Sequence, residues 1–375
     1  YRGVVIASGL LVVLAFVFLP RVSFEYRFSE LEPEYQEYED RRQVVREVAN
    51  DGRNRNPAFI VADSPDEVRF ITDALRDKME ADTLSPTIGS FESLQERFPL
   101  EDSLQQRRLA RIAEIRELLD DRFLREDDSE RMDQLRRAAQ TTTPISLDQV
   151  PDYLREQFTS KTGELGSFVI VYPSVGLSDG RQSIAFSNDV GSIEAANGRT
   201  YHAASTSIVA ADMLRLMRSE APWMVGATFL IVLLLMYLNF RSLRWMMLAV
   251  LPLVVGILWM LLLMEIFGAK LNFYNLIVLP AVLGIGNDAG VHLVHRYREL
   301  GPGSLMHVLR STGEHVTMGS LTTMVGFAGL LLSFHPGLET IGQLAVMGIG
   351  ATLAAALFFL PAMLQWMESS GGVAD

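Results

Sequence analysis

Residues 279–298, LPAVLGIGNDAGVHLVHRYR, decide the fold of this chain because they place a carboxylate inside an apolar helix. The stretch is apolar or small up to Gly286 and ends in the basic residues Arg296 and Arg298. Such a segment is typical of a helix that crosses a bilayer. An ionised carboxylate at bilayer depth costs at least ~2.5 to 3.5 kcal/mol. Asp288 is therefore predicted to face protein or water and to exchange a proton.

Helical spacing places Asp288, His292 and His295 on one face, because positions i, i+4 and i+7 stack along a helix. Histidine changes charge near neutral pH, so this face has the chemistry of a proton path. The predicted proton relay consists of Asp288, His292, Asn287, Thr322 and Thr323. Two simpler interpretations stay open: the histidines could lie at the headgroup boundary, and hydroxyls of the next helix, such as that of Thr317, could make ordinary interhelical hydrogen bonds.

Glycines in the same region predict close helix packing. Small residues let membrane helices approach closely, which suits a mobile transporter core. The predicted packing positions are Gly284, Gly286, Gly290 and Gly326. A nucleotide-binding loop is rejected because no phosphate-binding lysine follows these glycines. The chain also contains no recognised catalytic motif or metal-ligand spacing, so the sequence predicts no enzyme, no metal and no cofactor.

Six apolar windows qualify as membrane-spanning helices, since about 20 residues cross ~30 Å of hydrocarbon. The first could instead be a secretory signal peptide, but no small-x-small cleavage site follows it. The predicted spans are Gly3–Pro20, Trp223–Leu238, Trp245–Phe267, Phe273–Val294, Val316–Phe334 and Ile341–Met367.

Orientation follows from the short connections, where arginine and lysine prefer the cytoplasmic side. The connection after the second span holds Arg241 and Arg244, and the one after the fourth holds Arg296 and Arg298. Both are predicted to face the cytoplasm, which leaves Lys270 as the exception on the outer side. Residues 21–220 are then extracytoplasmic.

The residues between the first two spans predict an α+β domain with two βα units, a ferredoxin-like arrangement on the extracytoplasmic side. A charged, leucine-bearing stretch over Phe91–Gln140 predicts an inserted helical hairpin, whose charges form a solvated face or a docking surface. The helix that leads into the second span is predicted over Ser205–Glu220. The strands and helices of the βα units are predicted at Pro57–Ala62, Ser64–Met79, Ser167–Tyr172, Ile184–Ile193 and Arg199–Ala203.

The domain organisation is therefore a six-helix membrane bundle interrupted by one soluble domain. A net charge of −12 argues against a nucleic-acid partner, because phosphate binding needs a basic surface. The chain has no cysteine, which excludes disulfides and thiolate chemistry. The predicted boundaries are 1–20 for the first helix, 21–220 for the periplasmic domain with its insertion at about 91–163, 221–367 for five helices, and 368–375 for a cytoplasmic tail.

These motifs resemble the resistance-nodulation-division (RND) superfamily, in the branch of the mycobacterial large membrane proteins (MMPL) and the hopanoid exporters. The resemblance rests on Gly-Ile-Gly-x-Asp at 284–288, His-Leu-Val-His-Arg-Tyr-Arg at 292–298, and the stretch from Gly319 to Phe327 continuing to His-Pro-Gly at 335–337. It implies that the chain is one half of a two-half transporter, and residues 24–28 are more similar to the C-terminal half. The membrane aspartate of the family falls on Asp288. Ala289 stands where relatives often carry a second polar or aromatic residue, which leaves a single carboxylate here.

The resemblance implies proton-motive-force-driven export of hydrophobic substrates, such as hopanoids, sterols or related lipids, from a bacterial inner membrane. It implies as partners the lipid substrate, membrane lipids, the missing other half, a homo-oligomer (dimer or trimer) and a periplasmic lipid carrier. Two alternatives share the helices: a non-transporting sterol- or lipid-sensing module, and a secretion accessory of the same superfamily. Glu265, near the outer end of the third span, is predicted to be an interfacial anchor.

Overall fold

The computed structural model describes residues 1–33, 35, 40, 41, 44, 56–98, 102–121, 124, 129–146 and 149–370. The chain forms two compact parts, each described by itself below. The bundle unit comprises Tyr1–Val45, Ser178–Gly180 and Met213–Asp375, and the sheet unit comprises Arg46–Leu177 and Arg181–Asp212. Residues 371–375 of the predicted tail lie outside the described residues.

Six helices of the described chain are long and apolar enough to cross a membrane, which confirms the predicted number. The second is one continuous helix of 35 residues, so the predicted lead-in helix and second span are a single element. In chain order the membrane helices are Arg2–Arg21, Thr206–Phe240, Leu243–Phe267, Asn275–Leu300, Leu305–Leu332 and Pro336–Ser369.

The third, fourth and sixth membrane helices form the core of the bundle unit. Half or more of the most apolar window of each of these three helices is buried, whereas none of that window is buried in the second and fifth helices. Leu253 and Met260 of the third helix are almost completely buried, as are Val294 of the fourth and Leu344 of the sixth. Burial of such side chains is therefore concentrated in three helices, and the other three cover the outside.

Glycine and proline set the ends and irregularities of these helices. Gly268 ends the third helix with φ 67° and Gly301 ends the fourth with φ 78°, a region that favours glycine. Pro336 begins the sixth helix, where its missing N–H costs no hydrogen bond. Two π-helical turns, Leu309–Gly313 and Ala355–Phe359, interrupt the fifth and sixth helices.

The sheet unit contains a five-stranded sheet in the order β2-β3-β1-β5-β4. All four strand pairs are antiparallel. The strands are β1 (Ala58–Val61), β2 (Ile88–Glu92), β3 (Phe168–Pro173), β4 (Ser192–Glu194) and β5 (Thr200–Ala204).

Two helices, α1 (Val68–Ala81) and α6 (Gly180–Val190), cover one face of this sheet, while Leu94 and Phe158 pack against Ile170 on the other face. The core between the two helices and the sheet contains Ile60 of β1, Val169 and Val171 of β3, Ile71 of α1 and Phe186 of α6. Alternation along β1 explains the arrangement, because Ala58 and Ile60 point inward while Phe59 and Val61 are exposed. The helices of this unit are α1 (Val68–Ala81), α2 (Leu94–Arg97), α3 (Asp102–Leu119), α4 (Glu130–Ala139), α5 (Asp152–Gln157) and α6 (Gly180–Val190).

Two predicted elements of the sheet unit need correction. The helix predicted over Ile184–Ile193 begins at Gly180 and ends at Val190. The Gly191 N–H donates a last helical hydrogen bond to the Ser187 carbonyl at 2.9 Å, and the chain cannot continue as helix because Ile193 joins strand β4. The hairpin predicted to begin at Phe91 begins later, since residues 88–92 form strand β2 paired with β3. The rest of the predicted insertion contains helices α2, α3, α4 and α5 among its described residues, joined by non-helical segments.

Candidate functional site

The fourth membrane helix has one packed face and one uncovered face. Gly284, Asp288, His292 and His295 are exposed within this chain, and their spacing places them on the same side. The imidazole of His292 acts electrostatically on the Asp288 carboxyl. Among the described residues, Asp288 has no hydrogen-bond partner. The predicted stripe of titratable groups therefore exists as a surface of this chain.

Asn287 lies on the opposite, packed side of the same helix. It is 3% exposed, and its side-chain oxygen Oδ1 has no hydrogen-bond partner among the described residues. Its predicted relay partner Asp288 points to the other face, so the two adjacent residues do not form one polar cluster in this chain. A buried carbonyl oxygen without a hydrogen-bond donor costs about 1–3 kcal/mol, so the unpaired Asn287 Oδ1 lowers the stability of the folded chain.

The predicted hydroxyl partners on the fifth helix are bonded to their own helix. Thr322 Oγ1 donates to the Met318 carbonyl at 2.8 Å, and Thr323 Oγ1 donates to the Gly319 carbonyl at 3.0 Å. Thr317 does the same with Gly313 at 2.7 Å. Within the described residues these hydroxyls make no hydrogen bond to Asp288 or His292. Their part in a relay stays a prediction.

His295 lies at the end of the stripe, near the basic connection. Its Nδ1 is 3.5 Å from Glu299 Oε1, and its ring is 6.2 Å from the ring of Phe240. Nearby, the Tyr297 hydroxyl donates to Glu368 Oε1 at 2.6 Å, and Arg298 donates to the Phe240 carbonyl at 2.8 Å. These contacts tie the ends of the second, fourth and sixth helices together.

The packed face of the fourth helix depends on glycine. A Cβ at Gly286 would lie 2.8 Å from Thr352 Oγ1 of the sixth helix, and one at Gly290 would lie 2.5 Å from the Ala249 carbonyl oxygen of the third helix. No atom lies within 4 Å of a Cβ built at Gly284 or at Gly326. Two of the four predicted packing positions therefore lie at close helix contacts of this chain, and the other two face open space.

The close crossing also uses residues that were not predicted. Thr352 lies in the middle of the sixth helix and is 1% exposed, with its hydroxyl donating to the Gly348 and Ile349 carbonyls. Gly256 of the third helix packs directly on the Thr352 backbone. The sequence feature that could have identified Thr352 and Gly256 is a small residue near the middle of an apolar span.

An ionic cluster fixes the other end of the bundle unit. Glu25 accepts hydrogen bonds from Arg27 Nε at 3.0 Å and from Lys270 Nζ at 2.7 Å. The hydrogen bonds from the Arg27 guanidinium, together with those from Lys270, lower the pKa of Glu25 to about 2 against the opposing effect of burial. Glu265, the predicted interfacial anchor, lies 3.9 Å from the Arg21 guanidinium.

Polar side chains connect the start of the fourth helix to the start of the sixth at the same end. Asn272 Nδ2 donates to Thr340 Oγ1 at 3.0 Å, and Asn275 Nδ2 donates to the Lys270 carbonyl at 2.9 Å. The Tyr274 ring packs edge-on against His335, with centroids 5.1 Å apart. Gly337 is required beside that ring, because a Cβ there would lie 2.5 Å from Tyr274 Cδ2.

An apolar cavity of about 420 Å³ lies beside this cluster in the bundle unit. The segment after the first helix, the second helix and the start of the fourth helix form its walls. Arg218 is the charged residue that lines it. No group of side chains in the described part of the chain has the composition of a metal site.

Comparison with known proteins agrees with this arrangement. The MMPL family model matches residues 81–371. The chain is 31% identical over 133 residues to the hopanoid transporter HpnN of Burkholderia multivorans, a match that covers 36% of this chain and 15% of that protein. It is 26% identical over 223 residues to the hopanoid transporter HpnN of Rhodopseudomonas palustris, covering 59% of this chain and 24% of that protein.

A third relative has about the length of this chain. The protein MJ1562 of Methanocaldococcus jannaschii is 28% identical over 146 residues, which is 37% of each chain. By contrast, the matched segments span less than a quarter of either hopanoid transporter's own length. Because the family model covers most of the chain, including all of the fourth and fifth membrane helices, this protein belongs to the MMPL family.

Proposed function

We propose that this chain is one half of a proton-driven exporter of hydrophobic molecules, in which Asp288 takes up and releases the proton. The observation that carries the proposal is a carboxylate in the middle of a membrane helix, on a face that this chain leaves uncovered. Such a group is too costly to leave in contact with acyl chains, so it requires water or protein beside it. A carboxylate held in that way is suited to carry a proton across the bilayer.

The uncovered face also supports the proposal of a second half. Asp288 and His292 are exposed on the fourth helix, and Thr322 and Val325 are exposed on the fifth. A second six-helix bundle packed on this face would enclose the carboxylate and supply its missing polar partners. The far greater length of the two hopanoid transporters is consistent with a second half, and the similarity of residues 24–28 suggests that this chain is the C-terminal one.

The soluble part is proposed to be a ferredoxin-like porter domain on the periplasmic side of a bacterial inner membrane. The strand order β2-β3-β1-β5, with α1 between β1 and β2 and α6 after β3, supports a split βαβ arrangement. The arginines at 241, 244, 296 and 298 support a cytoplasmic location for the opposite end of the bundle. Lys270, the exception on the outer side, is neutralised by Glu25.

The proposed cargo is a lipid of the hopanoid or sterol type, because the two bacterial relatives are named as hopanoid transporters. The remaining partners proposed are a periplasmic lipid carrier and further copies of the chain. A sensing module would bind such a lipid without moving protons, and a secretion accessory would affect exported protein instead.

Reconstituted transport separates these possibilities. The full assembly is placed in liposomes with a fluorescent hopanoid or sterol, and a pH gradient is imposed. The proposal expects lipid to leave the donor bilayer only while the gradient lasts, and expects a protonophore to stop it. Lipid binding with no gradient-dependent movement would identify a sensing module and contradict the proposal.

A further inference from the structure

We infer that the cavity beside Arg218 binds an anionic phospholipid of the outer leaflet, with one acyl chain in the cavity and the phosphate at the guanidinium. The inference rests on the proposed function for the placement of this end of the bundle in the outer leaflet. Its evidence is the composition of the cavity, the charge of Arg218 and the position of both along the second membrane helix.

The walls of the cavity are suited to a hydrocarbon chain. Its volume of about 420 Å³ falls within the range of ordinary small-ligand sites. Ring and aliphatic side chains make up almost all of the lining. They are contributed by Phe24, Tyr26, Leu214, Met217, Val225 and Leu276. An acyl chain that enters this cavity exchanges contacts with neighbouring lipids for contacts with protein, and both surroundings are apolar. The affinity therefore depends on the fit of the chain in the cavity and on the contacts of the headgroup.

The cavity is accessible from the side. The second helix, which contributes much of its wall, has none of its most apolar window buried. A lipid can therefore enter from the surrounding bilayer without passing through the packed core of the third, fourth and sixth helices.

Arg218 provides the charge that recognises the headgroup. Its side chain is exposed, and among the described residues it has no hydrogen bond or ion pair. Other cations of this end have carboxylate partners, because Glu25 binds Arg27 and Lys270, Glu30 also binds Arg27, and Glu265 lies 3.9 Å from Arg21. Glu220 lies two residues further on, about 200° around the helix, so its carboxylate does not share the face of Arg218. A phosphate at Arg218 would gain an ionic hydrogen bond that the chain itself does not supply.

Pro222 and Trp223 place this charge at the right depth. Pro222 has no N–H, so it cannot donate the usual helical hydrogen bond to the Arg218 carbonyl, and this carbonyl needs another donor, such as water or a headgroup hydroxyl, at the same level. Trp223 is 81% exposed, as is typical of a tryptophan at the headgroup boundary. Arg218 lies five residues before it, about 7.5 Å along the helix, where lipid phosphates are found.

The test counts the lipids that stay bound to the full chain. The protein is placed in nanodiscs made of equal parts dioleoylphosphatidylglycerol and dioleoylphosphatidylcholine, extracted gently, and analysed by native mass spectrometry. An arginine near a membrane surface favours an anionic lipid by about fivefold, so the wild type is expected to retain phosphatidylglycerol over phosphatidylcholine by that ratio.

Four variants locate the effect. Arg218→Gln is expected to bring the ratio close to one, and Arg218→Lys to keep most of it. Arg310→Gln, which removes an exposed arginine from the fifth helix, is the matched control and is expected to keep the full ratio. Ala221→Trp, which fills the cavity, is expected to reduce the retained amount of both lipids.

Equal retention of the two lipids by the wild type would overturn the inference, and so would an Arg218→Gln variant with unchanged selectivity or an Arg310→Gln variant with the same loss. The proposed function is judged separately by gradient-driven lipid movement. If that movement is present and lipid selectivity is not, only the cavity assignment fails; if selectivity is present and movement is not, only the exporter proposal fails.

Discussion

Lys270 lies in the short connection between the third and fourth membrane helices, and its ammonium group is bound to the Glu25 carboxylate at 2.7 Å. The charge pattern of the connections makes this lysine an exception. Glu25, which lies 245 residues earlier in the chain, neutralises the charge of this lysine. No periodicity or local spacing connects two residues so far apart, so the sequence could not predict the contact between Lys270 and Glu25. The orientation of the helices stays a prediction.

Replacing Glu25 tests that contact. Glu25→Gln is expected to lower the free energy of unfolding by about 1 kcal/mol at pH 7, because the partly exposed ion pairs with Arg27 and Lys270 are lost. The pKa of Glu25 is lowered from its ordinary value of 4.5 to about 2, so its contribution is fully present above about pH 4.5 and disappears as the pH falls toward 2.

Thermal unfolding in detergent at several pH values measures this difference. Glu30→Gln serves as the control, since Glu30 is an exposed partner of Arg27 and should contribute less. A gap between the wild type and Glu25→Gln that stays constant from pH 7 to pH 2.5 would contradict the assignment.

The buried Asn287 leads to a second residue-level prediction of opposite sign. Its Oδ1 has no donor among the described residues, whereas the equally buried Asn275 is hydrogen bonded through both ends of its amide. Asn287→Leu is therefore expected to raise the free energy of unfolding by about 1 kcal/mol, and Asn275→Leu to lower it by about 1–3 kcal/mol.

Unfolding of both variants by heat in the same detergent gives the comparison. If Asn287→Leu destabilises the bundle as much as Asn275→Leu does, then Asn287 has a polar partner that stabilises it. Transport by Asn287→Leu reports separately on its predicted place in the relay.

At the scale of elements, hydropathy was sufficient to predict the membrane helices but not to predict every strand of the sheet. All six predicted spans correspond to helices, because the length and polarity required by a bilayer are local properties of the chain. Strand β2 was not predicted, since Ile88–Glu92 contains a glycine and a serine and becomes a strand only by pairing with β3. The ends of α6 were misplaced because Gly191 and strand β4 depend on the same tertiary pairing.

Two glycines of the fourth helix provide a matched test of helix packing. Gly290→Ala is expected to lower the free energy of unfolding by about 1–3 kcal/mol, because the new Cβ would lie 2.5 Å from the Ala249 carbonyl. Gly284→Ala has open space in this chain and is expected to raise it by up to about 1 kcal/mol through helix propensity. Thermal unfolding of both variants in detergent is the measurement, and equal effects would mean that the third and fourth helices are not in close contact at Gly290.

At the scale of the whole molecule, the site predicted from the sequence is divided between two faces of one helix. Asp288 and His292 share the uncovered face as predicted, while Asn287 is buried among helices of the same chain. Helical spacing fixes which residues lie together on a face. It does not fix which face is covered, because that depends on the helices that pack around it.

The cysteine-free sequence allows the occupant of the uncovered face to be identified by cross-linking. When this chain is the only one expressed, a second copy is the expected occupant, because closed two-fold dimers bring one surface against itself. Gly284→Cys in native membranes is expected to form a disulfide-linked dimer on mild oxidation. Leu234→Cys is the control, because Leu234 is 57% exposed but belongs to the second helix and not to the fourth. Dimers formed equally by both variants, or by neither, would contradict a partner at the fourth helix.

The most direct test of the central claim is proton entry into liposomes that contain the full assembly, followed with a trapped pH-sensitive dye while a hydrophobic substrate is present. Asp288→Asn is expected to fold normally and to abolish substrate-dependent proton entry. Glu265→Gln, which removes a carboxylate near the C-terminal end of the third helix, is expected to leave proton entry close to wild type. Proton entry at the wild-type rate in Asp288→Asn would contradict the account.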